Sequence, residues 1–168
     1  MNWSLQTILK RMSATSLALG LAVPAALGQA ADSEAKARVK LTFDVAKRFF
    51  RDGMFTTAVE RFDAFARMHP GSPHHAEAVL LEGQARFQLG QFEGVAEELT
   101  AGLQTAGPWA DRYLFWIGEV QFAQGYFNLA AASYGQLIEK HPGSVRALTA
   151  ALGQAQSLYQ LGDLKKSI

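Results

Sequence analysis

Four glycines constrain this chain more than any other feature. Gly53, Gly90, Gly125 and Gly162 are spaced by 37, 35 and 37 residues, and each interrupts a pattern of helical periodicity. A glycine just past a helix end closes it by adopting the left-handed backbone that other residues resist. Prolines mark the remaining boundaries, at Pro70, Pro73, Pro108 and Pro142, outside the interior of the periodic segments. Because proline breaks helix interiors, these positions are joints. The unit is joint, helix, glycine turn, helix, joint, which predicts an all-α chain of antiparallel helix pairs.

The second helix of each pair carries an apolar stripe. It reads Phe55, Ala58, Val59, Phe62, Phe65, then Phe92, Val95, Ala96, Leu99, Leu103, then Phe127, Ala130, Ala131, Tyr134, Leu137, Ile138. Spacings of i, i+3, i+4 and i+7 place each set on one face, which has to be buried. One pair cannot bury its own face, whereas stacked pairs cover one another. Each large side chain buried contributes ~1.5–3 kcal/mol, so several stacked pairs outweigh a chain entropy that one pair cannot. At His69-Pro70-Gly71-Ser72 and His141-Pro142-Gly143-Ser144, proline stops the helix, glycine permits the reversal and the serine caps the next helix. The two imidazoles pack against these turns. Gly102 and the displaced Pro108 predict an irregular end to the second pair.

The first helices carry a small residue seven positions before each turn glycine: Ala46, Gly83, Gly118 and Ala155. Together with the turn glycine, the small residue after it (Ala58, Val95, Ala130) and the closing proline (Pro70, Pro142), this resembles the tetratricopeptide repeat (TPR) from about residue 35 onward. The resemblance implies a right-handed α-solenoid: a repeat domain over 31–168, with units at about 39–72, 76–108, 111–144 and an incomplete 148–168. The family's first-helix tryptophan position holds Thr42, Val79 and Leu114 instead. An array ordinarily ends in a helix with a polar outer face, so the half-unit at the end is expected to continue in a longer protein.

The His-Pro-Gly-Ser joints and the Gln-Leu-Gly turns at 88–90 and 160–162 are similar to those of exported TPR proteins of the bacterial envelope. Two such groups are the TolA-binding cell-division coordinator and the outer-membrane-protein assembly lipoprotein. The chain has no cysteine to acylate, which argues against the lipoprotein group. The resemblance is therefore to the repeat module, and it implies an envelope protein partner from cell division or outer-membrane assembly.

Residues 1–30 read as a secretory signal peptide. Lys10 and Arg11 form the basic start, an apolar stretch runs from about residue 13 to 27, and Gly28 and Ala30 supply small residues for cleavage before Ala31. Cleavage after Gly28 is the alternative. The apolar stretch falls short of the ~20 residues of a spanning helix, so no stable membrane insertion is expected after processing. The processed chain would carry 14 Lys and Arg against 15 Asp and Glu, with no electrostatic footprint for nucleic acid. The expected location is the periplasm.

Candidates for chemistry are few. His69, His74 and His75 surround Pro73 without the spacing of a helical metal pair, and Glu93, Glu97 and Glu98 read as a solvated face. Lys36, Lys40, Lys47 and Arg51 interleave with Asp32, Glu34, Asp44 and Asp52, which predicts an ion-paired surface. No Gly-rich phosphate loop, GxSxG or HExxH occurs. The chain is expected to be a non-enzymatic scaffold without metal or cofactor.

The resemblance also implies which first-helix positions face a partner. Carried over on the glycines, these are Phe43, Lys47, Phe50 and Arg51; Leu80, Gln84, Phe87 and Gln88; Phe115, Glu119 and Phe122; and Leu152, Gln156 and Tyr159. The aromatic positions suit either a peptide groove or packing between the helices of a pair. The column Lys47, Gln84, Glu119, Gln156 varies in charge with no packing reason and is the better candidate for specificity. The expected function is a periplasmic scaffold that docks a partner segment along these helices. The alternative is a cell-wall accessory protein whose repeats hold peptidoglycan or position a hydrolase or a further domain.

Overall fold

The computed structural model describes residues 29–162. The signal segment through residue 28 and the last second-helix pattern, with Leu164, lie outside the described residues. The chain divides into two compact units between Leu41 and Thr42. In the first, residues 29–41 are helical, with Arg38 and Glu34 paired at 3.9 Å on its exposed surface.

The second unit is a TPR-like solenoid built from α1 (42–51), α2 (Phe55–Met68), α3 (His75–Gln88), α4 (Val95–Gly102), α5 (Ala110–Ala123), α6 (Phe127–Lys140) and α7 (Ala147–Gln160). Two 3₁₀ turns, Leu103–Thr105 and Gly107–Trp109, join α4 to α5. There is no strand among the described residues.

The turn glycines close the first helices as the sequence predicts. Gly53, Gly90, Gly125 and Gly162 have φ of 75°, 70°, 79° and 73°. After the first three, the next amide returns to the helix: Met54 N–H to the Phe49 carbonyl at 2.9 Å, Gln91 to Arg86 at 2.9 Å and Tyr126 to Gln121 at 2.8 Å. That bond, with the positive φ, is the Schellman closure. Across each turn two phenylalanines meet edge to face: Phe50–Phe55 at 5.6 Å, Phe87–Phe92 at 5.3 Å and Phe122–Phe127 at 5.2 Å. Such pairs contribute ~0.5–1.5 kcal/mol beyond their buried area and fix the angle of each hairpin.

Helices α2 and α6 are near copies. Both span 14 residues and end at a histidine, His69 (φ −131°, ψ 55°) or His141 (φ −132°, ψ 56°). The His69 ring lies 5.1 Å from Phe65, against the turn. In each joint the serine Oγ accepts a backbone N–H two residues on: His74 to Ser72 and Arg146 to Ser144, both at 3.1 Å. Helices α3 and α7 begin only at His75 and Ala147, so the serines fix the turn that leads into each helix.

The second pair departs further than the sequence suggests. Phe92 was expected inside its second helix, but Gly94 adopts φ 75° and α4 starts at Val95. At the other end Leu103 already lies in the 3₁₀ turn. Helix α4 has 8 residues where α2 and α6 have 14. One glycine at each end limits it, and only Gly102 was anticipated.

The small first-helix residues allow the close approach expected of them. A Cβ on Gly118 would come within 2.7 Å of the Tyr134 ring, and one on Gly153 would meet the same ring at 2.7 Å. Tyr134, 1% exposed, is therefore held between α5 and α7.

Candidate docking face on the first helices

Phe43 and Leu80 are each 1% exposed and Phe115 is 9% exposed. Phe43 packs on Phe62 and Phe65 and stacks on the His74 imidazole at 4.7 Å. Leu80 joins the core with Val95, Leu99 and Ile117, and Phe115 lies against Tyr134 at 6.1 Å. The resemblance turns these three toward a partner, but they are core side chains, because the second helices cover them. In the same column Leu152 on α7 is exposed.

The polar column also splits. Lys47 donates to Glu77 Oε1 at 2.7 Å, and its ammonium lies 5.3 Å from the Phe43 ring. Glu119 Oε1 accepts from the Tyr134 hydroxyl at 2.7 Å. Burial, then that hydrogen bond to Glu119, raises the Tyr134 phenol well above its ordinary range. Lys47 and Glu119 thus have structural work that accounts for their charge. Gln84 is half-buried and Gln156 exposed, and neither side chain makes a hydrogen bond.

What remains open is a shorter face. On α3, Gln84, Phe87 and Gln88 share one turn, with Gln88 exposed and the other two half-buried. On α5 the matching ring is Phe122, and on α1 Phe50 is half-buried and Arg51 exposed. Trp116, which the family pattern did not place here, lies edge-on to Phe87 at 5.2 Å. Its indole Nε1 is buried without a hydrogen-bond partner. The arrangement offers half-open aromatic edges beside unengaged amides, which suits contact with a polypeptide.

Other structural residues escaped the sequence reading. The Tyr113 hydroxyl donates to the Ala76 carbonyl at 2.8 Å, tying α5 to α3. Glu98, on the face read as solvated, is exposed and accepts from Arg86 at 3.2 Å. Glu82 is buried. No group of three His, Cys, Asp or Glu among the described residues could hold a metal ion. No described helix is long and apolar enough to cross a membrane.

No curated protein matches the sequence. Among solved structures the chain is similar to the MamA protein, with a TM-score of 0.66 and 19% identity over 77% of this chain and 67% of that one. It is also similar to a protein of Podosopora anserina described as a kinesin light chain with nearly identical TPR-like repeats. That structure has a TM-score of 0.65 and 14% identity over 79% of this chain and 71% of that one. At these identities the likeness is one of fold. The family model for the tetratricopeptide repeat matches residues 43–108 and 117–168. Repeats of this kind suggest a protein–protein interaction scaffold. With matched segments covering most of its length, and with the glycine turns and stacked pairs that such repeats require, this chain belongs to the tetratricopeptide repeat family.

Proposed function

We propose that this chain is an exported, non-enzymatic scaffold of the bacterial periplasm that docks an extended or helical segment of an envelope protein, from cell division or outer-membrane assembly, along its first helices. Lys10, Arg11 and the apolar stretch after them support export. The observation that carries the docking site is the open turn of α3, where Gln84 and Gln88 are unengaged beside half-buried Phe87. Aromatic edges supply contact area and the free amides supply hydrogen bonds to a partner backbone.

The test is site-specific photocrosslinking in cells, with the photoreactive residue at position 88 and, as control, at position 136 on α6, which is also exposed. A crosslinked species specific to position 88 supports the docking face. Equal yields at both positions, or none at 88, overturn it. Export is read separately, from the N-terminal sequence of the protein recovered from the envelope. A start at Ala31 or Gln29 supports it, and an intact Met1 on cytoplasmic material refutes it.

A further inference from the structure

Glu82 is a charged side chain in a buried position. It stands immediately before Gly83, in the register where Ile117 precedes Gly118, and Ile117 is a core residue 3% exposed. Glu82 itself is 7% exposed, and its carboxyl makes no hydrogen bond or ion pair. A carboxylate with little access to water and no partner is disfavoured. The nearby cations are already engaged: Arg67 on α2 with Asp63, and Arg86 on α3 with Glu98 and with the Glu93 carbonyl.

The carboxyl lines a cavity of about 310 Å³ between α2, α3 and α4. Asp63, Arg67, His75 and Glu98 supply the rest of its polar wall, and Ala66 and Val79 its apolar side. His75 Nδ1, in the same wall, is buried with no hydrogen-bond partner. Gly102 also borders the space. It lies twelve residues after its turn glycine, where the other pairs place buried Phe65 and Leu137. A buried glutamate, in a register shared with Val45, Ile117 and Gln154, thus meets a glycine where the other pairs place a large apolar side chain. Such local departures mark sites whose requirements differ from those of packing.

We propose that this cavity binds a cationic nitrogen group, a guanidinium or primary ammonium on a short aliphatic arm, with Glu82 as its carboxylate partner. The wall holds three carboxylates and Arg67, and Arg86 outside it pairs with Glu98, so an ionised Glu82 leaves one negative charge uncompensated. An arriving cation supplies that charge and donates the hydrogen bonds the carboxyl lacks. Ala66 and Val79 give the arm an apolar surface, and the volume lies at the small end of ligand pockets. Burial, then the charges of Glu98 and Asp63, raise the Glu82 carboxyl to about 7, while Arg86 and Arg67 pull it down. Binding therefore strengthens as pH rises through that value. The site is separate from the α3 docking turn and stands whether or not that face takes a partner.

The test titrates the isotope-labelled chain at pH 8 with three probes, followed by backbone amide shifts. The probes are N-acetyl-arginine amide, its neutral isostere N-acetyl-citrulline amide, and putrescine. The expected result is that N-acetyl-arginine amide shifts the amides of Glu82 and Glu98, and that N-acetyl-citrulline amide does not. Affinity falls about tenfold between pH 8 and pH 6, as the carboxyl takes up its proton. Glu82→Gln lowers affinity at pH 8 by at least about tenfold. That variant keeps the fold, since α7 already carries Gln154 in the same register. Binding of putrescine as well identifies a free amine as sufficient, and binding of the arginine amide alone identifies a partner's side chain; either outcome supports the site. Equal binding of the citrulline amide, unchanged affinity in Glu82→Gln, or no shift at pH 8 with any probe overturns the proposal.

Discussion

The pair α5–α6 and the pair α3–α4 carry the same repeat with opposite consequences. In α5–α6 the second helix runs its full 14 residues, and Tyr134 fills the space between Gly118 and Gly153 with its hydroxyl bonded to Glu119. In α3–α4 the corresponding residue is Leu99, and the Gly83 position meets Val95 and Leu99 only at 3.3 Å and 3.4 Å. Its second helix is 8 residues long, bounded by Gly94 and Gly102, and a carboxyl lies where α5 has Ile117. Close packing makes one pair rigid in its requirements. The other leaves a cavity with a titratable wall.

Substitutions that add volume test this contrast most directly. Gly118→Ala would press a methyl into a ring already held on both sides, with an expected loss of about 3 kcal/mol. Gly83→Ala, where aliphatic branches can yield a few tenths of an ångström and alanine favours the helix, is expected to stay within about 0.5 kcal/mol of the parent. Urea unfolding of the two variants measures the difference. Equal losses would erase the distinction between the pairs.

Next in size is the pH dependence that α3 contributes. Glu82 binds its proton more tightly folded, at about 7, than unfolded, at 4.5. Its burial is therefore harmless below the unfolded value. It becomes a growing penalty as pH rises from 4.5 toward 7, and the penalty is complete above the folded value. Discounted for partial solvent access, the penalty is about 2 kcal/mol. The parent should lose that much stability from this group between pH 4 and pH 8, and Glu82→Gln should lose correspondingly less. Unfolding midpoints at both pH values decide it; identical pH profiles would remove Glu82 from the account.

Polar ties give the smaller effects. Lys47→Met leaves Glu77, whose side chain is 15% exposed, without its cation and should cost about 1.5 kcal/mol. Tyr134→Phe keeps the ring between its glycines and removes only the bond to Glu119, for a loss of about 1 kcal/mol. If Tyr134→Phe proved as damaging as Gly118→Ala, the hydroxyl rather than the close fit would hold α5–α6 together.

Much of the solenoid was legible from spacing. Positive φ at the turn glycines and proline at the joints are backbone requirements, and each is written in a single residue. The docking face was legible only in part. Phe43, Lys47 and Phe87 share a helical spacing rule with their counterparts, yet Phe43 is buried, Lys47 is ion-paired and Phe87 is half-open. Periodicity gives the direction in which a side chain leaves its helix, not which neighbouring helix it meets. Gly94 was readable as a second helix breaker four residues after Gly90. Glu82 was readable as the one charged member of the column Val45, Glu82, Ile117, Gln154. Both signals appear once the repeats are set against one another residue by residue.

Taken alone, the order of residues determined where helices start, stop and reverse, because those events depend on φ, on a missing N–H and on a few local hydrogen bonds. Tertiary structure alone decided which aromatics became core, that Glu119 serves Tyr134, and that three carboxyls and Arg67 border one cavity. Those outcomes depend on contacts between helices far apart in the chain, and only stacking sets such distances.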